Sequence, residues 1–212
     1  MNARELILVV ATRNRKKGLE LLELLMPPWE PKAPESSLVI KTLAEFPELP
    51  DVVEDAETFS GNAQKKAAET ARALNSWVLA DDSGLSVDAL DGAPGVHSAR
   101  YAGTHGDDLA NNTKLLRELS TVADPDRGAA FVCALALADP TGAIRATAEG
   151  RCRGRITHAP RGPSGFGYDP LFLILEYHKT FGELHPIVKQ QLSHRARALA
   201  ALRPEIMKLL RS

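Results

Sequence analysis

The first 25 residues join a short apolar run to an amphipathic helical pattern, and this combination restricts the choice of fold most. The run ELILVVA, residues 5–11, is rich in β-branched residues, as in a strand buried on both faces. After the polar loop TRNRKK, leucines recur at helical spacing through residues 19–25, and Pro27 and Pro28 then stop the helix. A buried strand followed by a helix predicts an α/β fold.

Two further segments extend this pattern. Residues 38–43, LVIKTL, predict a second strand, and residues 62–74 are rich in helix formers with a cap at Ser60 or Asn62. This helix leads into SWVLADDSG, a predicted strand that ends in two aspartates.

The second half of the chain predicts a hairpin and two more helices. One helix follows a cap at Asp107 or Asp108. AAFVCALALAD and AIRATAEGRCRGR flank the turn DPTG, in which Gly142 closes a type I turn. The last helix begins at Ser193 and is interrupted near Pro204. Strands that alternate with helices and then form a hairpin predict an α/β domain with a mixed sheet.

Length and composition favour one globular domain. A chain of 212 residues can bury one substantial core, so we expect a single domain over residues 1–212, built as two lobes. No apolar run reaches the roughly 18 residues of a membrane span, and 26 basic residues balance 27 acidic ones. We therefore expect neither a membrane nor a nucleic acid as partner. Two cysteines without a disulfide pattern are typical of a reducing compartment, so we expect a cytoplasmic protein.

The adjacent carboxylates Asp81 and Asp82 follow an apolar run, where repulsion and desolvation both cost free energy. Mg²⁺ takes oxygen ligands and is commonly shared between one or two carboxylates and substrate phosphates, so the pair is a candidate metal site. The nearby segment VVEDAE offers Glu54, Asp55 and Glu57 as further ligands. A capped turn, with Asp82 bonded to the backbone of DSGL, explains the pair about equally well.

A basic loop lies between the first strand and the first helix, where backbone N–H groups and the helix dipole favour an anion. Thr12, Asn14 and Lys17 offer hydroxyl, amide and ammonium donors for phosphate oxygens. The Walker sequence GxxxxGK[ST] is absent from the chain. An ordinary solvated turn accounts for the same residues, although Arg15 and Lys16 then lie unfavourably at the positive end of the dipole.

Two later segments are candidates for base recognition. In GFGYDP the ring of Phe166 or Tyr168 can stack on a flat base, and Asp169 can accept hydrogen bonds from it, whereas a flexible loop with core aromatics is the alternative. The second segment, KQQLSHRARAL, carries cations that can bind phosphate or the keto oxygens of a base, and a solvated helix start accounts for it as well. Its candidate residues are Lys189, His194 and Arg195.

Taken in order, these segments resemble the Ham1-like, or inosine triphosphate pyrophosphatase, family. The resemblance rests on ATRNRKKGLELLELL, TFSGNAQKKA, LADDSGLSVDALDGAPGVHSARYAG, GFGYDPLF and LSHRARAL, and it spans about residues 6–203. It implies an elongated two-lobed α/β domain with a mixed sheet and a central nucleotide-binding cleft, which works as a homodimer. The implied reaction is Mg²⁺-dependent hydrolysis of ITP, dITP or XTP to the monophosphate and pyrophosphate.

The resemblance also implies roles for particular residues. Asp82 is the implied metal ligand and general base, with Glu54 as a second ligand and Asp81 in support. The implied phosphate-binding residues are Thr12, Asn14 and Lys17 with their neighbours Arg13, Arg15 and Lys16, and Ser83 is implied to contact the substrate. The residues implied to hold the base are Phe166, Gly167, Tyr168, Asp169, Lys189, His194 and Arg195.

The sequence departs from the family pattern at three positions. Arg13 and Lys16 replace glycines that the family usually has in the phosphate loop. Gly61 replaces a glutamate, and this leaves Asp55 or Glu57 as substitute metal ligands.

Two other functions fit parts of the sequence. A related Maf-like pyrophosphatase would keep the nucleotide pocket but act on modified pyrimidines or on ordinary nucleotides. A nucleic-acid-binding module would use the arginines of residues 151–161, against which the near-zero net charge and the acidic segment argue.

Overall fold

The computed structural model describes residues 6–25 and 38–209, and this part of the chain forms the predicted α/β fold. The strands are β1 Leu6–Val10, β2 Leu38–Thr42, β3 Trp77–Val87, β4 Gly128–Ala138, β5 Ile144–Ile156, β6 Phe172–Ile174 and β7 Lys179–Thr180. The α-helices are α1 Arg15–Leu25, α2 Phe59–Leu74, α3 Asp108–Glu118, α4 Pro186–Leu192 and α5 His194–Leu209. Pro27 and Pro28, predicted to stop the first helix, lie outside the described residues.

The strands form one mixed sheet in the order β2-β1-β3-β4-β5-β6-β7, which confirms the predicted sheet type. β1 pairs in parallel with β2 and with β3, as expected for strands joined through helices. β5 and β6 pair antiparallel, and so do β6 and β7. The mixture follows from the chain order, because the helical connections come early and the short connections come late.

The chain divides into two compact units, and each has its own hydrophobic cluster. The first unit comprises Met1–Asp82, Ala134–Gly150 and Arg195–Ser212, and the second comprises Ser83–Cys133 and Arg151–His194. In the first unit, Ala63, Ala67 and Ala71 of α2 pack with Val78 and Ala80 of β3. Alanines at a spacing of four residues give α2 one small, buried face, so the helix can lie close to the strand. The hydrophobic cluster of the second unit contains larger side chains, among them the aromatic rings of Phe131, Phe172 and Phe181.

The structure corrects three predictions about element boundaries. β3 does not end at the aspartates but continues through them to Val87, so the alternative of a turn capped by Asp82 is wrong. Helix α2 is capped by Thr58, whose hydroxyl accepts from the N–H of Gly61, rather than by Ser60 or Asn62. Helix α5 runs through Pro204 without interruption.

No helix within the described ranges, residues 6–25 and 38–209, is long and apolar enough to cross a membrane.

The predicted hairpin turn is confirmed, and a carboxylate organises it. The N–H of Gly142 donates to the carbonyl of Asp139 at 2.8 Å, and Gly142 has φ +80°, which favours glycine. The Asp139 carboxylate accepts from the hydroxyl of Thr141 at 2.6 Å and from Nε of Arg145 at 2.6 Å. Hydrogen bonds from Thr141 and Arg145 outweigh burial and lower the pKa of Asp139 from 3.8 to about 2.

We expect Asp139→Asn to lower stability by its full amount above the unfolded pKa of 3.8 and by progressively less as the pH falls below it. Because the folded pKa, about 2, lies below the unfolded value of 3.8, the ionised carboxylate stabilises the fold above that value. The contribution is lost as the pH falls from 3.8 towards about 2. Urea unfolding of both proteins at several pH values should give midpoints that differ at neutral pH and converge in acid. A difference that stays constant below pH 4 would contradict the assignment.

Candidate active site

The two aspartates lie on opposite faces of a buried strand in the first unit. Asp81 is 1% exposed and Asp82 is 5% exposed, and side chains of a strand point alternately to its two faces. β1 runs parallel to β3 with Val10 opposite Leu79, so the loop after β1 begins beside the aspartates. The parallel pairing of two strands that are far apart in sequence therefore brings the basic loop to the carboxylates.

Asp81 faces two cations. The ammonium Nζ of Lys17 lies 3.6 Å from Oδ2 of Asp81, and Nε of Arg195 lies 3.8 Å from the same oxygen. Nη1 of Arg195 also donates to Oε2 of Glu20 at 2.6 Å. A cation is unfavourable at the N-terminus of a helix, and helix α1 has no acidic residue in its first turn to offset the charge of Lys17. Asp81 of the neighbouring strand β3 stabilises this ammonium instead.

Asp82 is held by an amide from α2. Nδ2 of Asn62 donates to Oδ2 of Asp82 at 3.0 Å, on the face where α2 packs against β3. Burial raises the pKa of Asp82, and the charges of Lys17 and Lys66 and the bond from Asn62 only partly oppose that rise. A carboxylate with a raised pKa and fixed orientation is well suited to accept a proton.

Lys66 is a site residue that the sequence reasoning missed. Its ammonium binds Oε1 of Glu54, and its side chain is 14% exposed. Burial opposes its charge, yet attraction by Asp81, Glu54 and Asp82 raises the pKa of Lys66. One ammonium therefore serves three carboxylates. The helical spacing of Asn62 and Lys66, four residues apart within TFSGNAQKKA, was the available signal.

The loop after β1 is closed by its own side chains. The amide oxygen of Asn14 accepts from the backbone N–H groups of Lys16 at 3.1 Å and Lys17 at 3.2 Å, so it caps helix α1. The hydroxyl of Thr12 accepts from the N–H of Asn14 at 3.2 Å. Two of the helix N–H groups expected to face an anion are thus already bonded within the loop.

The remaining cations of this loop differ in their surroundings. Nε of Arg13 binds Asp51 at 2.5 Å, and its Nη2 donates to the carbonyl of Leu49, so Arg13 ties the loop to the segment after β2. Arg15 and Lys16 are exposed. Of the loop's cations, the structure brings Lys17 to the aspartates, whereas it engages Arg13 elsewhere.

The donors of the first unit fit a Mg²⁺ ion that is shared with a substrate. Within residues 6–25 and 38–209, no group of three or more His, Cys, Asp or Glu side chains is arranged to hold a metal by itself. Mg²⁺ commonly takes only one or two protein carboxylates and completes its shell with water and phosphate. Asp81 and Asp82, with Glu54 bound to Lys66, supply oxygen donors of this kind. Asp55 is engaged instead by Lys65 at 2.6 Å.

In the second unit the segment GFGYDP is a closely bonded loop around Asp169. Oδ2 of Asp169 accepts from the N–H of Phe166 at 2.8 Å and from Nζ of Lys189 at 2.7 Å. The same ammonium lies 4.8 Å from the centre of the Phe166 ring. A Cβ at Gly165 would lie 2.2 Å from Oδ2 of Asp169, so only glycine allows the carboxylate to fold back here.

Two residues predicted to hold the base lie in the core of the second unit. Tyr168 is 4% exposed, and its hydroxyl donates to the carbonyl of Ser98 at 2.9 Å, so Phe166 is the more accessible ring of the loop. The His194 ring stacks on Phe131, with centroids 4.9 Å apart. Tyr168 is therefore a core aromatic residue, and the loop itself is extensively hydrogen-bonded, while the role of Tyr168 at a base stays a prediction.

Comparison with known proteins connects these features. A sequence model of the Ham1 family matches residues 8–205. The chain belongs to the Ham1 family. It is 57% identical over 205 residues to a dITP/XTP pyrophosphatase of Rhodopirellula baltica, a match that covers 97% of this chain and 95% of the relative. A HAM1 protein from Coxiella burnetii has a similar structure, with a TM-score of 0.83, 37% identity, and coverage of 96% of this chain and 99% of that one.

A third relative has a solved structure and is named for an activity. The nucleoside-triphosphatase / dITP/XTP pyrophosphatase of Mycobacterium abscessus is 45% identical in sequence and has a TM-score of 0.75, with coverage of 94% of this chain and 100% of that chain. Membership of the Ham1 family and the mixed α/β fold, both expected from the order of the motifs, are thereby confirmed.

This member of the Ham1 family has a local reason for Gly61. A Cβ at that position would lie 2.9 Å from Cβ of Ala56 and 3.1 Å from the hydroxyl of Thr58. The N–H of Ala56 donates to Oδ1 of Asn62 at 2.8 Å, which draws this segment towards the start of α2. A glutamate at position 61 would displace the segment that carries Glu54.

Proposed function

We propose that this chain hydrolyses ITP, dITP and XTP to the monophosphate and pyrophosphate with the help of Mg²⁺, and so removes these nucleotides from the pool. The observation that carries the proposal is the pair Asp81 and Asp82, buried in mid-strand and compensated by Lys17, Arg195 and Lys66. Buried carboxylates cost free energy unless cations compensate them, and such compensated clusters of titratable groups are typical of functional sites. The names of the relatives from R. baltica and M. abscessus support the choice of substrates.

In this proposal the first unit handles the triphosphate. Lys17 binds phosphate oxygens, while Asp81 keeps its ammonium in place. Asp82 accepts the proton of the water that attacks the α-phosphorus, and Asn62 orients the carboxylate for this task. Mg²⁺, when bound, neutralises phosphate charge, and Asp82 and Asp81 or Glu54 are the residues that would hold it. The charge of Lys66 opposes the protonation of Asp82 that burial favours.

The second unit handles the base. The exposed part of the Phe166 ring stacks on the purine, and the ammonium of Lys189 beside it donates to a keto oxygen at C6. Adenine carries an amino group at that position, so the same donor would be left unpaired. Ser83, half-buried in β3, and the remaining predicted residues of this unit, Gly167, Tyr168, Asp169 and His194, stay in the proposal as supporting groups, and so does Arg195 of the first unit.

The test is a panel of nucleotides assayed for pyrophosphate release with and without Mg²⁺. We expect ITP, dITP and XTP to exceed dATP in kcat/KM by at least about 10²-fold, because an unpaired polar group in the base site is penalised. Release of orthophosphate would contradict cleavage next to the α-phosphorus. Preference for a modified pyrimidine would favour the Maf-like alternative.

The proposal includes a cytoplasmic homodimer that needs no nucleic acid or membrane. Both cysteines, Cys133 and Cys152, are buried thiols, in keeping with a reducing compartment. Light scattering of the purified protein tests the dimer, and a mass near 22.9 kDa would contradict it.

A further inference from the structure

The N–H and the carbonyl of Gly167 both form hydrogen bonds with side chains of helix α3, which belongs to the same unit. The N–H of Gly167 donates to Oδ2 of Asp108 at 2.8 Å, and its carbonyl accepts from Nδ2 of Asn112 at 3.0 Å. Asp108 and Asn112 lie four residues apart in α3, so they occupy the same face of that helix. The contacts are 59 and 55 residues apart in sequence, which makes them tertiary anchors rather than local turn bonds.

Helix α3 is a firm support for these bonds. Leu115 is fully buried in the hydrophobic cluster of the second unit. Asn111, 2% exposed, accepts from the N–H of Ala102 and donates to the carbonyl of Ala99. At the far end, the buried guanidinium of Arg127 donates to the carbonyl of Leu119 at 2.6 Å. The helix therefore cannot shift without breaking core contacts.

Gly167 needs such support because of its backbone. It has φ +59°, a left-handed conformation that glycine adopts freely but does not prefer strongly. Apart from its chain neighbours, no atom lies within 4 Å of the position that a Cβ would take, so the space beside the residue is open. The loop's own bonds join Phe166 to Asp169, and the two bonds from α3 fix the peptide groups of Gly167 between them. The N–H of Gly167 is used by Asp108 and is not left over for a base.

We infer that Asp108 and Asn112 are positioning residues for base selection, which rests on the function proposed above. They touch no substrate. They fix Gly167, and Gly167 sets the direction of the Phe166 ring relative to Lys189, the two groups assigned to the purine. Loss of either bond leaves the loop in several conformations, only some of which present ring and ammonium together, so apparent affinity falls with the competent fraction.

The chain offers a matched control one residue away. Asp107 caps the same helix by accepting from the N–H of Ala110 at 3.0 Å and makes no bond to the loop. Asp107→Ala and Asp108→Ala both remove an aspartate from the start of α3, but only the second frees Gly167. Asp108→Asn keeps an oxygen acceptor at the same place and should rescue the loop.

Two measurements decide the inference. Amide exchange of Gly167, followed by NMR without nucleotide, should be fast in Asp108→Ala and slow in wild type, Asp108→Asn and Asp107→Ala. With dITP, Asp108→Ala should raise KM about 10-fold with kcat within about twofold, and should reduce the preference for dITP over dATP. Asn112→Ala should act in the same direction.

The outcomes separate this inference from the proposed function. Unchanged exchange at Gly167 in Asp108→Ala, or an equal rise in KM in Asp107→Ala, overturns the inference while the enzyme remains a pyrophosphatase. If the wild type releases no pyrophosphate from any purine nucleotide, the proposed function fails. Calorimetric binding of dITP in EDTA then decides the role of α3: weaker binding to Asp108→Ala supports it, and equal or absent binding overturns it.

Discussion

Asp82→Asn should lower kcat for dITP on the order of 10³-fold, the usual contribution of a positioned general base. Asparagine has nearly the same shape and can still accept the bond from Asn62, which is 3.0 Å long in the wild type. It cannot take a proton from water. Nucleotide binding should persist because Lys17 remains in place. The measurement is steady-state pyrophosphate release together with binding of dITP.

The variant should not be less stable than the wild type. Burial raises the pKa of Asp82 above 3.8, so the folded protein binds this proton more tightly than the unfolded chain does. The free energy of unfolding therefore falls as the pH rises from 3.8 to the folded-state pKa. At neutral pH the asparagine removes this cost. Asp88→Asn is the matched control, because Asp88 is an exposed partner of Arg153 in the second unit. Near-normal kcat in Asp82→Asn, or an equal loss in Asp88→Asn, would refute the assignment.

The sequence predicts those parts of the fold that local patterns specify. The apolar run before the basic loop became β1, the leucines after it became α1, and the turn at Asp139 to Gly142 formed as expected. Boundaries failed where tertiary contacts override local signals. Asp81 and Asp82 continue a strand because cations and an amide on three helices satisfy them, which a pattern of single residues does not reveal.

The sequence predicted which residues form the candidate site better than it predicted which of them contact one another. Lys17, expected to bind phosphate, lies near Asp81, and so does Arg195, which the resemblance assigned to the base. Tyr168, which the resemblance assigned to the base, is buried, and its hydroxyl donates to a carbonyl in the core, as the alternative of core aromatics predicts. Lys66 was missed because its three carboxylates come from two separate stretches of chain. Such convergence depends on strand register, which the sequence alone does not specify.

Substitution of Lys66, which the sequence patterns did not reveal as a site residue, gives the second large effect on activity. Lys66→Gln should lower kcat/KM for dITP on the order of 10²-fold, because it removes a preorganised charge from a buried site. It should also lower the free energy of unfolding by roughly 3 kcal/mol, since Glu54, Asp81 and Asp82 lose the ammonium that compensates them. Nucleotide hydrolysis and urea unfolding measure the two effects.

The control is the neighbouring Lys65→Gln. Lys65 lies on the same helix but pairs with Asp55, whose side chain is 64% exposed, so its loss should change both quantities little. Magnesium gives a further readout without turnover. A cation that binds among the uncompensated carboxylates should raise the Tm of Lys66→Gln more than that of the wild type. If MgCl₂ shifts both proteins equally, the three carboxylates do not share one cation position, and the metal ligands proposed here must be sought elsewhere.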